Sequence, residues 1–323
     1  MKTVTNRSCD YFKDQKSLTD FWLDCRAAAD VRQYPTLWRT RLLLSSRVWK
    51  PEKDTRVWQN RSGEMIGFAM LWRRQATSAY VVLDSYLHPT LAAKELFVEI
   101  LQWGDARAHQ IAQEQGSAIT AYVTGAPQQD FAVNILKQYG YAILPPNPTD
   151  DDVYFTKPLQ DKILLPSLPS GYKIRKLQNV DELQAYQALS GFAKVNPHHQ
   201  QELIESDEYS HFVAENSTGE LVAYCECSVC YAEWERTHQR VGWIDYVETR
   251  SAEQKKGLGQ AILTSGLLHL QALGAETAML ITINSNSPAV GLYQKTGFSR
   301  VEVKEVFSYE KQIPAPNQIG LLD

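Results

Sequence analysis

The sequence predicts an α/β protein of the α+β type, built from two copies of one unit, each a mixed, mostly antiparallel twisted sheet flanked by helices. Three observations predict it. The chain has 323 residues, more than a single hydrophobic core usually serves. Segments of the first half recur in the second at a nearly constant offset. Strand patterns alternate only in part with helical ones, and the hairpins among them are antiparallel, which points to mixed sheets covered by helices.

The repeat rests on three separate matches. VWQNRSGEMIGFA, starting at Val57, is matched by FVAENSTGELVAYC, starting at Phe212, and Gly219 lies 156 residues after Gly63. Both read as a strand, a tight Asn/Ser/Gly turn and a second strand. NILKQYGYAI around Gly140 parallels GLYQKTGFSR around Gly297, 157 residues on, each a helix ended by glycine before an aromatic residue that opens a strand. DVYFTKPL matches VFSYEKQI at an offset of 154 as the closing strand. Between the copies, KPLQDKILLPSLPSGYKI carries Pro158, Pro166 and Pro169, which remove backbone donors at short intervals. It reads as a linker, dividing the chain into domains of residues 1–160 and 161–323.

The second copy reads in order. YKIRKL is a strand, and a helical stretch runs from Val180 to about Ala193. The loop VNPHHQQ and a short helix follow, then the hairpin and the strand RVGWIDYVET. GLGQAILTSGLLHLQALG is an amphipathic helix, with Leu258, Ala261, Ile262, Ser265, Leu268 and Leu273 close to one face. The strand TAMLITI, a short helix from Pro288 and two closing strands complete the copy.

Composition narrows the function. With 44% hydrophobic and 22% charged residues the chain is an ordinary globular protein. Its 33 basic against 37 acidic residues leave no basic surplus, so no nucleic-acid partner is expected. No apolar run approaches the roughly 18 residues that span a bilayer, and MKTVTNRSCDYFKDQ is too polar for a secretory leader. A cytoplasmic protein without a membrane partner is expected. Cys9, Cys25, Cys225, Cys227 and Cys230 are an odd number, which suits reduced thiols. Cys225, Cys227 and Cys230 lie in a β-rich run, LVAYCECSVCYAEW; a zinc site there would need a ligand such as His238, and buried small hydrophobes are the favoured reading, so no metal is expected.

The chemistry concentrates in DYVETRSAEQKKGLGQAIL, where a strand meets the amphipathic helix. Glycines at this junction let the N–H groups of Lys256, Gly257, Leu258, Gly259 and Gln260 turn toward one anion, and the helix dipole adds attraction for phosphate. The loop is neither a Walker A sequence nor a complete GxGxxG. Some 30 residues later comes Asn286-Ser287-Pro288-Ala289-Val290-Gly291-Leu292-Tyr293-Gln294-Lys295-Thr296-Gly297-Phe298. On these residues the chain is similar to the GNAT superfamily of acyltransferases. Gln254-Lys255-Lys256-Gly257-Leu258-Gly259 resembles its Q/R-x-x-G-x-G/A pyrophosphate loop, and the later segment resembles its N-x-P-A-x-x-L-Y-x-K-x-G-F signature. The resemblance covers residues 172 to 311, with a weaker echo in the first half.

The resemblance implies transfer of an acetyl group from acetyl-CoA, the acyl-donor substrate, to an amine acceptor, without a metal. It implies that Tyr293 stands near the thioester sulfur as general acid, where the plain reading is a buried aromatic on a short helix. For the base, alternation on the strand places Trp243, Asp245 and Val247 on one face and Tyr246 and Glu248 on the other. Asp245 occupies a position where relatives often carry a carboxylate that reaches the amine, with Glu248 and then Glu226 behind it; a salt-bridged strand carboxylate is the alternative. Backbone groups of Val247 and Thr249 are expected to bond the pantetheine arm. Asn284 and Asn286 contact the CoA arm or, for Asn286 ahead of Pro288, cap the short helix. His198 and His199, in the loop VNPHHQQ, are weaker candidates for substrate contact.

The first copy reads as stripped of catalysis. Aligning SYLHPTLAAKELFVEIL with VETRSAEQKKGLGQAIL puts Pro89 opposite Ser251 and replaces the loop glycines by Glu95 and Phe97. A carboxylate repels a diphosphate and Phe97 blocks backbone approach. The repeat also places Leu136 opposite Tyr293. Six of the eight tryptophans, Trp22, Trp38, Trp49, Trp58, Trp72 and Trp103, lie here, mostly as core. The expected function is therefore N-acetyl transfer to a primary amine of a small-molecule acceptor in the second domain; a non-catalytic acyl-CoA-binding module and a tandem peptide or aminoacyl transferase are the alternatives.

Overall fold

The computed structural model describes residues 4–29, 51–73, 75–91, 94–124, 130–144, 152–177, 180–190, 204–301 and 308–316, together with positions 34, 36, 37 and 40. Elements below are labelled in chain order over these residues. The chain forms two compact units, residues 1–146 with 305–323, and residues 147–304.

In the first unit β1 (Thr5–Ser8) precedes the long helix α1 (Tyr11–Ala28), capped by Asp10, whose side chain accepts from the Lys13 N–H. A single turn α2 (Pro51–Asp54) leads into β2 (Thr55–Gln59), β3 (Met65–Trp72) and β4 (Tyr80–Leu87). Then follow α3 (Lys94–Gln115), β5 (Ile119–Thr124), α4 (Asp130–Gln138) and β6 (Ala142–Ile143). The second unit opens with β7 (Asp152–Pro158) and β8 (Lys173–Lys176), then α5 (Leu183–Ser190), β9 (Tyr209–Glu215) and β10 (Leu221–Ser228). It continues through α6 (Tyr231–Thr237), β11 (Val241–Thr249), α7 (Leu258–Ala272), β12 (Thr277–Ile283), α8 (Ser287–Lys295) and β13 (Ser299–Val301). The last strand is β14 (Tyr309–Ile313).

The sheets are the same design twice. One is ordered β1-β2-β3-β4-β5-β14-β6 and the other β8-β9-β10-β11-β12-β7-β13. Only β4–β5 and β11–β12 are parallel, and each of these pairs is joined by a crossover helix, α3 or α7, as parallel strands require. The repeat holds down to single bonds. Asn60 Oδ1 accepts from the N–H groups of Ser62 and Glu64, and Asn216 Oδ1 accepts from those of Thr218 and Glu220. Gly63 and Gly219 turn at φ of 82° and 83°, and Gly140 and Gly297 end α4 and α8 at 79° and 87°, a region that only glycine enters without strain.

Two features depart from the sequence reading. The segment CYAEW is not strand: β10 stops at Ser228, and Tyr231 begins α6, which ends at His238 in the left-handed conformation. The closing strands also exchange. β14, read as the last strand of the second copy, lies between β5 and β6, while β7, read as the last strand of the first, lies between β12 and β13. The prolines of the linker mark where regular structure stops, near residue 160; they carry no information on which sheet a preceding strand joins.

Each unit has its own core. Trp58, Phe97, Ile100, Leu101, Ile119 and Leu136 are at its centre in the first unit. In the second, α7 packs on one face of the sheet through Leu258, Ile262, Leu263 and Leu267, against Cys225, Cys227 and Ile244. A smaller cluster of Leu177, Tyr186, Leu189, Val213, Leu221 and Tyr224 lies beneath α5 on the opposite face. Trp22 and Trp58 are fully buried, while Trp38, Trp49, His198 and His199 lie outside the described residues. Among the described residues no helix is long and apolar enough to cross a membrane, and no group of three metal-ligating side chains gathers.

Candidate active site

The site is built from a break in the second sheet. β11 pairs with β12 only from Val241 to Ile244, opposite Thr277 to Leu280. Both strands then continue, β11 to Thr249 and β12 to Ile283, without pairing to each other, so the sheet splits between them. At the split β11 carries a bulge. Tyr246 pairs with Glu226 and Ile244 with Cys227, which leaves Asp245 as the extra residue. The bulge changes the faces expected from simple alternation. Ile244 and Val247 both pack into the core under α7, whereas Tyr246 joins the cluster under α5 and Glu248 accepts from the Tyr224 hydroxyl at 3.0 Å on that same side. Trp243, Asp245 and Val247 therefore do not form one continuous face.

The loop from Arg250 to Gly257 leads from the split to α7. Lys255 and Gly257 both have positive φ, 62° and 89°. For a lysine this left-handed backbone costs about 1–2 kcal/mol, a strain found where a loop has a task to perform. Gly257 occupies the cap position of α7 and has no side chain to satisfy the helix, so the first-turn N–H groups of Leu258, Gly259 and Gln260 are left without an internal acceptor. Gln254 ties the loop to the strand by donating to the Thr249 carbonyl at 3.0 Å. Lys256 meets Glu253 at 2.8 Å and the Tyr172 hydroxyl at 3.2 Å, and lies over the Tyr172 ring. A Cβ on Gly259 would only touch Leu292 and Thr249, at 3.5 and 3.6 Å, so the small residue there is not demanded by packing.

Across the split stands α8. Asn286 is its cap, accepting from the Ala289 N–H at 3.4 Å ahead of Pro288, and Asn284 accepts from Arg300 at 3.2 Å. Tyr293 lies on the inner side, 7% exposed, between Phe155 and Phe298 with ring centroids at 5.9 and 6.0 Å. Burial, with Cys225 of β10 adding to it, pushes the phenol up to about 12. The phenol is thus neutral at physiological pH.

Sequence reasoning missed the residues on the α5 face. Tyr186 and Tyr209 both donate to the buried Glu226, the second at 2.5 Å, and His211 Nδ1 lies 3.6 Å from the same carboxylate. The sequence signal was a strand, YSHFVAE, with Tyr209 and His211 two residues apart. Its partner could not be found, because a bulge between Leu221 and Ala223 moves the hairpin register by one residue.

Among the described residues the first unit lacks these features. Its hairpin carries the equivalent bulge, between Trp58 and Gln59, but β3 and β4 pair in unbroken register from Gly67–Leu87 to Trp72–Val82. Among the described residues β5 runs to Thr124, which pairs with Asp84. α3 has already begun at Lys94, before the position matched to the loop glycine, and Glu95 is in its first turn. Phe97 and Leu136 are both fully buried in the core.

Residues 174–298, which hold the sheet split at a bulge and the glycine-capped helix facing it, match the acetyltransferase (GNAT) family. The chain as a whole is a tandem of two such folds and resembles mycothiol acetyltransferases. The one from Pseudarthrobacter chlorophenolicus is 23% identical over 282 residues, 84% of this chain and 81% of the relative. That from Streptomyces avermitilis is 28% identical over 158 residues, 45% of this chain and 48% of the relative. For that relative and those from Renibacterium salmoninarum and Thermobispora bispora, the match spans 24% to 54% of the relative's length. The tandem arrangement recurs in a tandem GNAT protein from the clavulanic acid biosynthesis pathway, with a TM-score of 0.63 and 14% identity over 96% of this chain and 99% of the other. A GCN5-related N-acetyltransferase from Sphaerobacter thermophilus gives a TM-score of 0.59 and 17% identity over 96% of each chain. At such identities the likeness is one of fold.

Proposed function

We propose that the protein is an N-acetyltransferase that moves an acetyl group from acetyl-CoA directly onto a primary amine of a small-molecule acceptor, with the second unit as the working one. The observation that carries this reading is the coincidence, in that unit alone among the described residues, of a split sheet, a bulge at its apex and an uncapped helix N-terminus beside it. In this reading the diphosphate sits on the N–H groups of residues 256–260, with Gln254, Lys255 and Lys256 around it. The pantetheine arm bonds the open edge of β11 at Val247 and Thr249, and Asn284 and Asn286 flank its path. The name shared by the relatives supports a small molecule over a protein as acceptor.

Asp245, at the bulge, is the proposed base, with Glu248 and Glu226 behind it. Tyr293 is the proposed partner of the leaving sulfur. With its phenol at about 12 and thiols near 8.5, outright proton transfer to a free thiolate is uphill by about 5 kcal/mol. Tyr293 therefore works first as a hydrogen-bond donor that grows stronger as the C–S bond lengthens.

Titration calorimetry with acetyl-CoA tests this. One site per chain is expected, abolished in Gly259→Glu. The substitution places a carboxylate at a helix N-terminus, where it favours the helix, so a loss of binding reports on the ligand rather than on folding. Two sites per chain would return a role to the first unit, and unchanged affinity in Gly259→Glu would move the diphosphate elsewhere. Binding without turnover on any amine would favour an acyl-CoA-binding module.

A further inference from the structure

Of the buried cluster on the α5 face, only Glu226 enters the mechanism above, as a reserve base. His211, Glu226 and Tyr246 form one row across β9, β10 and β11, ending beside the bulge. Burial drives the Glu226 carboxyl up, but His211 and the two tyrosines outweigh it and hold the carboxyl below its usual range. Glu226 is thus an anion that can only accept, and both tyrosine hydroxyls spend their single protons on it. The Tyr186 oxygen also lies 3.2 Å from His211 Nδ1. With its own proton committed to Glu226, that oxygen must accept, so Nδ1 carries a proton, and in the neutral form of the ring Nε2 holds the lone pair. Nε2 is buried and has no hydrogen-bond partner among the described residues, in a residue only 7% exposed. Leaving such an atom unpaired costs about 1–3 kcal/mol, which a structural histidine would avoid.

The reaction supplies a need for this lone pair. An ammonium acceptor loses two protons on becoming an amide, one before it attacks and one as the new bond forms. The N–C bond forms, the C–S bond breaks, and one proton finally resides on the CoA sulfur. The other requires an acceptor that can pass it to solvent. We propose that His211, held by Glu226 through Tyr186, takes the place of Asp245 as the group that receives this proton, at Nε2 from the acceptor amine, directly or through one water, and that the acceptor binds over the α5 face beside Tyr246. The inference rests on the acetyltransferase reading. The imidazolium so formed lies against the Glu226 carboxylate, which stabilises it; Glu226 acts as a positioning residue. Among the described residues, the ionisable groups around His211 are Tyr186 from α5, Tyr209 from its own strand, Tyr224 and Glu226 from β10, and Asp245 and Tyr246 from β11. Lys176 of β8 acts at His269.

The test is kcat/KM against pH for ethanolamine, glucosamine and spermidine as probe amines, in wild type, His211→Gln and Glu226→Gln. His211→Gln is expected to lose about 100-fold at neutral pH with acetyl-CoA affinity unchanged, the deficit narrowing at high pH where the amine is already neutral. Glu226→Gln should move the acid limb of the profile to lower pH, because an imidazolium without its carboxylate gives up its proton more readily. A His211→Gln enzyme with the wild-type profile overturns the inference and leaves the acetyltransferase reading standing. A wild type that binds no acetyl-CoA overturns both. Should either variant fail to fold, nitrogen-15 NMR of the histidines in the wild-type protein decides: a lone pair at His211 Nε2 is expected, and the opposite tautomer would sink the proposal.

Discussion

At the scale of single residues, the two copies differ where chemistry would occur and agree where packing occurs. Leu136 and Tyr293 occupy matched places on α4 and α8, and both are buried, so the position is a core position in either unit. What Tyr293 adds is one hydroxyl. Tyr293→Phe keeps the contacts with Phe155 and Phe298 and removes only that group. Turnover is therefore expected to fall at least tenfold, with acetyl-CoA affinity and thermal midpoint nearly unchanged; steady-state kinetics beside calorimetry checks this. Wild-type turnover would make Tyr293 a core aromatic like its counterpart. Residues of this kind were legible in the sequence because their spacing from glycines and prolines is local: Gly257, Asn286, Pro288 and Tyr293 each fall on the element read for them. Tyr186, Tyr209 and His211 were not, since they meet Glu226 from other elements and only the fold brings them together.

At the scale of elements, strand existence was legible and strand register was not. Alternating apolar residues identify β9, β10 and β11, yet one extra residue at Asp245 and another at Val222 reverse which side chains share a face. Neither position is marked by glycine or proline. The helix α6 was hidden for a related reason: its residues continue an apolar, cysteine-rich run, and nothing before Tyr231 signals a stop. Close packing of α7 on β10 and β11 yields a sharper expectation. A Cβ on Gly266 would stand 2.8 Å from Cys225 Sγ and 3.3 Å from Ile244, so the strands and helix must move apart to accept it. Gly266→Ala should cost about 1–3 kcal/mol despite its better helix propensity. Gly291, in α8, has open space where a methyl would stand, with nothing within 4 Å, and Gly291→Ala should add up to about 1 kcal/mol. Urea unfolding of the pair tests the contrast, and equal effects of one sign would mean that propensity, not contact, governs both sites.

At the scale of the whole molecule, duplication and strand exchange together decide what can fold alone. The copies in sequence run from β1 to β7 and from β8 to β14, but the sheets are completed by β14 in the first unit and β7 in the second. A fragment of residues 1–160 keeps β7 and lacks β14; without it Ile119 to Val123 lose a backbone partner on one side and Ala142 and Ile143 lose the strand they pair with. A fragment of residues 161–323 lacks β7, which pairs along the whole of β12 from Thr277 to Ile283 and also holds β13. The second loss is the graver for function, because β12 is one wall of the split and Phe155 of β7 packs on Tyr293. Separately, each fragment is expected to be aggregation-prone through its open edge and to bind no acetyl-CoA. Co-expressed, the two supply each other's missing strands and should restore one site per chain pair, read by calorimetry on the purified complex. A fragment of residues 161–323 that folds and binds alone would mean that its own last strand can replace β7. The matched sequences DVYFTKPL and VFSYEKQI make this a fair contest, since both were built for the same place in the sheet, and the covalent order of the intact chain would then be what selects the exchanged pairing.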